Sequence, residues 1–348
     1  MKKALITGIT GQDGFFLSKF LLTQGYEVHG LVRRNSTNSL GNLELLEKDD
    51  KDSIIFHCGD IIDANYVTNI IRTNQFDEIY HLAAQSFVGL SFKNPAATYT
   101  INIDGTLHIV NAVKDYSPQS KVYFAATSEL YGKTKDFPQN EETPFYPRSP
   151  YGVSKLAGFW TIKNYRESYD LYMASGILFN HESEVRGPEF ITRKISLAVA
   201  KISKGKQKCL EIGNMEAKRD WGYAKEYVKG MWMILQQETP DDYVLSSGKM
   251  HSVRDFVVSA FKAVNIDIIW EGEGVDEIGK NAASGETLVK INPEFFRPAE
   301  VEALLGDSSK AEKKLGWKSE TTFEELVEIM VKFDLKLVEN EKEIITLS

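Results

Sequence analysis

Tyr151 and Lys155 stand four residues apart at the start of a helical pattern, in the string Tyr151-Gly152-Val153-Ser154-Lys155. Four residues along a helix bring two side chains onto one face, so the phenol and the ammonium become neighbours. An ammonium held there favours the phenolate and lowers a pKa that is ordinarily about 10. A phenolate of that kind takes the proton of a substrate alcohol. Just upstream, Thr127-Ser128-Glu129 ends an apolar run, Val122-Tyr123-Phe124-Ala125-Ala126, that reads as a buried strand. The pentapeptide alone also occurs in helices that do no chemistry, so its meaning depends on the elements that must position it.

Those elements alternate between strand and helix. Lys3-Ala4-Leu5-Ile6-Thr7 is a short apolar run, followed directly by Gly8-Ile9-Thr10-Gly11-Gln12-Asp13-Gly14 and an amphipathic helix to about Gln24. On a first strand-to-helix turn the three glycines have separate tasks. Gly8 permits a tight turn, Gly11 lets backbone approach a pyrophosphate, and Gly14 lets the helix pack on the strand. The spacing is G-x-x-G-x-x-G and not G-x-G-x-x-G, yet its placement predicts a dinucleotide site. Residues 27–32 read as the second strand and end in Arg33-Arg34, where an NAD-selective site usually carries an acidic residue for the ribose 2′-hydroxyl. Two guanidiniums suit a 2′-phosphate, so the expected cofactor is NADP.

Further strand patterns cover Ile54-Ile55-Phe56-His57 ahead of Gly59-Asp60, and Glu78-Ile79-Tyr80-His81 ahead of Leu82-Ala83-Ala84. Helical stretches follow each, most clearly residues 96–114. This alternation predicts an α/β fold with a Rossmann-type doubly wound parallel sheet. Ligands of such sheets sit at the carboxyl ends of the strands, where Gly8, Asp60, Ala84 and Thr127 all fall. The helix begun at Tyr151 continues to about Tyr169, and residues 173–179 read as a strand. Beyond Asn180 the pattern loosens, with helices at 190–204 and 223–237, short strands at 208–212 and 266–270, and a final amphipathic helix at 323–333. The expected organisation is an NADP-binding domain over residues 1–180 to which later segments return. A smaller interleaved α/β region over 181–335 binds substrate and packs on it as a lid, and a charged tail covers 336–348.

Composition narrows the function classes. A chain of 348 residues, 42% hydrophobic and 26% charged, is ample for a large core and reads as a soluble globular protein. A formal net charge of -8 argues against nucleic acid as a partner. Cys58 and Cys209 lie far apart with no C-x-x-C spacing, and the six histidines form no metal-binding motif, so no metal and no disulfide framework is expected. No apolar run approaches the roughly 18 residues that span a bilayer, and the first residues lead straight into a strand, so a cytoplasmic protein without a membrane partner is expected.

With these residues assembled, the chain resembles the extended short-chain dehydrogenase/reductase superfamily, and within it the GDP-mannose 4,6-dehydratase family over nearly its whole length. The resemblance rests on the string from Leu5 to Gly14, on Thr127-Ser128-Glu129-Leu130-Tyr131-Gly132, on Pro144-Phe145-Tyr146-Pro147-Arg148-Ser149-Pro150-Tyr151, and on Gly176-Ile177-Leu178-Phe179-Asn180-His181-Glu182-Ser183. It extends through Thr192-Arg193-Lys194, Arg219-Asp220-Trp221-Gly222 and Phe296-Arg297-Pro298-Ala299-Glu300-Val301.

What the resemblance implies is a hydro-lyase that turns GDP-mannose into the GDP-4-keto-6-deoxy sugar by moving a hydride from C4 to C6 with loss of water. Tyr151 would deprotonate the C4 hydroxyl, Thr127 would hold that oxygen, and Lys155 would support Tyr151 and the nicotinamide ribose. Glu129 would remove the C5 proton that a ketone at C4 acidifies. Related dTDP-glucose dehydratases carry Asp then Glu here. Ser128 replaces the Asp, which leaves the acid for C6 departure unassigned. The same comparison implies that Gly8, Thr10, Gly11, Gln12, Asp13, Arg34, Asp60, Ile61, Leu82, Ala84, Ser86, Lys155, His181 and Arg186 contact NADP. Ser86, Ser128, Glu129, Asn180, Lys194, Arg219 and Arg297 would hold the GDP-sugar, the cations on its diphosphate. A homo-oligomer, dimer or tetramer, is implied too.

The departures from the family text bear on the sugar. Phe87 stands where a His is usual, Ala97 where a Tyr is usual, and Glu184-Val185 where Pro-Arg is usual. They raise a GDP-linked manno-heptose as an alternative substrate for the same dehydration. The loop of residues 35–46, which in the family helps build a tetramer, also differs. Two rivals of other classes remain: a sugar-nucleotide epimerase or reductase of the same fold, which needs no base such as Glu129, and a non-catalytic NADP-binding protein, against which stand Thr127, Tyr151 and Lys155.

Overall fold

The protein is described from a computed structural model, which covers residues 1–340 apart from Asn38, Arg297, Pro298, Glu300 and Glu302. In chain order the strands are β1 (Lys3–Thr7), β2 (Glu27–Val32), β3 (Ile55–Cys58), β4 (Glu78–His81), β5 (Lys121–Thr127), β6 (Met173–Leu178) and β7 (Asn180–Glu182). They continue as β8 (Leu210–Ile212), β9 (Lys218–Tyr223), β10 (Asp242–Leu245), β11 (Met250–Ser252), β12 (Ile268–Glu271), β13 (Ile278–Asn281) and β14 (Thr287–Ile291). Seven of them pair in parallel in the order β10-β6-β5-β4-β1-β2-β3. The chain winds outward from β1 to β3, then restarts at β4 on the other side of β1. That reversal opens a crevice between the carboxyl ends of β1 and β4, the place where doubly wound sheets bind ligands.

Alternation along the strands explains why helices cover both faces. Ala4 and Ile6 of β1 and Tyr123 and Ala125 of β5 pack with Phe15, Leu17 and Leu21 of the Gln12–Thr23 helix and with Tyr227, Met231 and Ile234 of the Ala224–Leu235 helix. Leu5, Val122, Phe124 and Ala126 point the other way, onto Ile70, Val113, Phe159 and Ile162 of the Ala64–Asn74, Gly105–Tyr116 and Pro150–Tyr169 helices. A strand buried on both sides reads as an unbroken apolar run, as the run ending at Thr127 does.

A third core holds the rest together. Ile195, Val199, Phe256, Phe261, Leu326 and Met330 join the Ile191–Ser203, Val253–Lys262 and Phe323–Glu339 helices. Two smaller sheets, β11-β9-β7 and β12-β13-β14-β8, flank it among the described residues. No helix among them is long and apolar enough to cross a membrane.

Two of the expected elements differ, and β10, which completes the central sheet, and the Val253–Lys262 helix were not expected. Residues 96–114 are not one helix: Pro95–Tyr99 and Gly105–Tyr116 are joined by a π-helical turn, Thr100–Asp104, whose wider winding turns Asn102 inward to 2% exposure. The last helix does not stop at residue 333 but runs to Glu339, so the tail expected from 336 begins inside it. Val338 is buried along with Met330 and Val331, which continues the apolar stripe. Residues 341–348 lie outside the described residues.

Candidate active site

The glycine turn is built by three different constraints. Gly8 has φ +73, and a Cβ on it would come within 2.8 Å of the Ala83 backbone, so the turn after β1 and the turn after β4 touch there. Gly14 lies in the first helix with Ile9 backbone atoms 2.4 Å from where its Cβ would be, which is how closely helix and turn pack. Gly11 is different. A Cβ there meets only the Gly8 carbonyl at 3.4 Å, its backbone is extended, and no side chain caps the helix it begins. The first N–H groups of that helix face the cavity, a setting that favours an anion. The fold therefore needs glycine at 8 and 14, while Gly11, on the cavity wall, has room for a side chain that the packing itself does not forbid. Gly14→Ala should lower stability by about 1–3 kcal/mol, read as a fall in Tm, whereas Gly11→Ala should keep the wild-type Tm and lose dinucleotide affinity in a binding titration.

The side chains expected to be catalytic lie at the end of β5 and at the start of one helix. Ser149 caps that helix, accepting from the Gly152 N–H at 3.0 Å, and Pro150 fills its first position. Gly152 lets the helix start press on the Glu129 carbonyl, 3.0 Å from where a Cβ would be. Tyr151 and Lys155 consequently sit on the buried face, 8% and 3% exposed. Thr127, Ser128 and Glu129 follow β5, and the Thr127 hydroxyl accepts from the Glu129 N–H at 3.3 Å. Glu129 is 7% and Ser128 2% exposed.

The electrostatics differ from the simple expectation. Burial pushes the Tyr151 phenol up to about 12, and the groups that pull against this are its Thr127 hydrogen bond and the Arg186 guanidinium, not Lys155. Burial also brings the Lys155 ammonium down to about 7, with Asp13 opposing, and its Nζ lies 4.6 Å from the centre of the Phe124 ring. Burial strips Lys155 of the strength its pKa would give it in water. Burial thus works against the expected Lys155-assisted phenolate.

One cavity of about 930 Å³ collects most of the expected residues. Gly8, Thr10, Gly11, Gln12, Asp13, Leu82, Ala84 and Ser86 line one wall, Thr127, Ser128, Glu129, Tyr151 and Lys155 its floor, and Asn180, His181, Arg186, Lys194 and Arg219 the opposite side. Asp13 is held by His181 Nε2 at 2.9 Å and Gln12 Nε2 at 3.1 Å. Burial would lower His181, but the Asp13 carboxylate outweighs it and raises the imidazole, which favours a charged pair. The Asn180 Oδ1 is buried without a hydrogen-bond partner among the described residues, and Asn180 belongs to the cavity wall. Lys194 Nζ lies 3.5 Å above the Phe295 ring and Arg219 Nη1 donates to the Lys218 carbonyl at 2.8 Å.

Three expected cofactor residues are not in the cavity wall. Arg34 is exposed just past β2, and Asp60 lies just past β3 with its carboxylate accepting from the Ile62 N–H at 3.2 Å. Both follow the carboxyl ends of strands on the β2-β3 side of β1. The Ile61 side chain is buried against Gly105, so backbone alone could serve a ligand there. Arg297 lies outside the described residues. Conversely, Asn102 was missed. Through the π turn its amide accepts from the Gln85 N–H at 2.8 Å and donates to Ser154 Oγ at 2.9 Å, tying the loop after β4 to the Tyr151 helix. A lone Asn inside a helical pattern gives no sequence signal for this.

Residues 5–330 match the profile of the GDP-mannose 4,6 dehydratase family. The chain belongs to that family. It is 50% identical to a GDP-mannose 4,6 dehydratase 2 of Caenorhabditis elegans over 97% of this chain and 90% of the relative. It is 48% identical to a GDP-mannose 4,6 dehydratase of Homo sapiens over 96% and 92%. Its fold is that of a solved dTDP-glucose 4,6-dehydratase from Streptomyces venezuelae, with TM-score 0.80, 22% identity and coverage of 97% and 98%.

Set against other members of the GDP-mannose 4,6 dehydratase family, the departures lose the meaning given to them. Ala97 is exposed and not in the cavity wall, Val185 is buried in the core, and the Glu184 carboxylate accepts from Tyr223 Oη at 3.3 Å, away from the cavity. Only Phe87 lines the site, packed edge-on against Phe190 at 5.8 Å. With relatives named for GDP-mannose across nearly the whole chain, the manno-heptose alternative is not favoured.

Proposed function

We propose that the chain is an NADP-dependent GDP-mannose 4,6-dehydratase, a hydro-lyase acting on GDP-mannose. The observation that carries this is Glu129, a carboxylate 7% exposed that opens into the same cavity as Tyr151. A reductase or epimerase needs the phenol but has no use for a second base at the neighbouring carbon. The open cradle at Gly11 and the uncapped helix behind it fit the pyrophosphate of a dinucleotide. When bound, NADP supplies the hydride chemistry of the cycle.

The chain's own residues handle protons and position. Tyr151 takes the proton of the C4 hydroxyl while Thr127 holds that oxygen, and Lys155 orients Tyr151 and the ribose. Glu129 removes the C5 proton, which a carbonyl at C4 has made acidic. Ser128, buried beside it, is placed to hydrogen-bond the sugar. Asn180, Lys194 and Arg219, with Arg297, hold the GDP part. Residues 1–180 serve mainly the cofactor and 181–335 mainly the sugar nucleotide. Incubation with GDP-mannose and NADP followed by mass spectrometry should show loss of one water without net reduction of NADP. Recovery of an unchanged mass, or of a C4 epimer, would overturn the assignment.

Arg33 and Arg34 support NADP over NAD. Arg34→Ala should cost about 1.5–3 kcal/mol of NADP affinity, the worth of a charge-assisted contact to the 2′-phosphate, and leave NAD nearly unchanged. Equal losses in titrations with both cofactors would make Arg34 a structural residue. The apolar side chains Tyr99, Leu107, Val153 and Trp160, exposed on the neighbouring 95–116 and Pro150–Tyr169 helices, support a homo-oligomer.

A further inference from the structure

The last helix contributes no residue to the cavity wall, yet it reaches the site through one buried ion pair. Asp334, 0% exposed, accepts from Arg193 Nε at 2.9 and 3.0 Å, faces Nη2 at 2.7 Å, and takes a hydrogen bond from Ser196 Oγ at 2.6 Å. Two nitrogens committed to one carboxylate fix the plane of the guanidinium. The third, Nη1, donates to the carbonyls of Glu184 and Arg186, the latter at 3.1 Å. Those carbonyls belong to the loop of residues 183–187, whose Arg186 side chain enters the cavity. There its guanidinium lies 3.6 Å from the centre of the Phe190 ring and 3.2 Å from Glu182. Arg186 lines the same cavity as Tyr151, Asp13 and His181.

We propose that Arg193 and Asp334 are positioning residues that set dinucleotide affinity by holding the Arg186 loop in place. A buried ion pair often adds no stability over an apolar pair of equal volume, so its presence here is better explained by the geometry it imposes than by energy. Asn42 Nδ2 ties the loop at the Val185 carbonyl at 2.9 Å and Ser183 Oγ ties its start to Gln12 Oε1 at 2.7 Å, but the Glu184 and Arg186 carbonyls on either side of Val185 are held by Nη1, and without that donor both lose this partner. The neighbouring Lys194 is anchored separately, because Ile195, Ala198 and Val199 keep its helix in the third core.

This rests on the reading that Arg186 contacts the dinucleotide, and the test separates the two. Asp334→Asn leaves a buried guanidinium unpaired and can fail to fold, so the informative variant is the double substitution Arg193→Met with Asp334→Leu, checked for wild-type Tm. NADP affinity should fall between about threefold and thirtyfold, the usual range for residues that act through a coupled element. The KM for GDP-mannose at saturating NADP should stay within about twofold, whereas general loosening of the fold would raise it as well. Combining the pair with Arg186→Ala should bring no further loss. If Arg186→Ala weakens NADP and the folded double variant does not, the positioning role is wrong and the cofactor reading stands. If Arg186→Ala itself leaves NADP binding unchanged, both fail. A double variant that does not fold makes the pair a stability element and overturns the proposal.

Discussion

Tyr151→Phe should lose about two to four orders of magnitude in turnover of GDP-mannose, the typical contribution of a positioned acid-base group, while NADP still binds. The substitution removes one oxygen from a ring that is 8% exposed and keeps its apolar bulk, so the fold has no reason to change. What it removes is the phenol oxygen, whose pKa the neighbouring Thr127 hydroxyl lowers. The site has to make that oxygen basic against a burial that raises it to about 12, and the chain's own counterweights are the Thr127 hydroxyl and the Arg186 charge. Lys155, brought down to about 7 by the same burial, keeps only part of its charge at neutral pH. Oxidised nicotinamide bound in the site would add the positive charge the chain lacks there. Single-turnover absorbance of reduced cofactor is the sharper readout: it should vanish in Tyr151→Phe, and its survival at the wild-type rate would remove Tyr151 from the mechanism.

How much of this was legible in the sequence depended on the range of the interaction. The glycine turn, the first six strands and the Tyr151–Lys155 spacing are local, and local pattern placed them correctly, whereas β10, which completes the central sheet, was not expected. Sequence could not show what burial does to a charge: Tyr-x-x-x-Lys reads as an ammonium helping a phenol, but both groups lie under the sheet's ends, where desolvation dominates. Asp334 was hidden for a related reason. A carboxylate amid Met330, Val331 and Val338 looks like the point where an apolar stripe ends, and only a guanidinium 141 positions away in sequence makes it a core residue. Ala97 and Glu184 show the converse error. They lie beside motif residues in the chain, but a side chain one or two positions from a site residue commonly points elsewhere, and here neither enters the cavity.

The second large effect is expected at Glu129 and tests a different bond. Glu129→Gln keeps the size of the side chain and the Thr127 contact, which runs through the Glu129 N–H and not through the carboxylate. It removes the group able to take a proton from C5. Water loss should fall by about two to four orders of magnitude, yet oxidation at C4, which needs Tyr151 and not Glu129, should persist. The two variants therefore part company in one experiment. With GDP-mannose in deuterated solvent, wild type should incorporate deuterium into the product. Glu129→Gln should transiently form reduced cofactor without exchanging C5, and Tyr151→Phe should do neither. That separation follows from where the residues sit, Tyr151 on the helix and Glu129 on the turn after β5, each reaching the cavity from its own element. If Glu129→Gln still released water at the wild-type rate, the C5 base would have to be another group of the cavity, and the feature that separates this chain's chemistry from that of an epimerase would be lost.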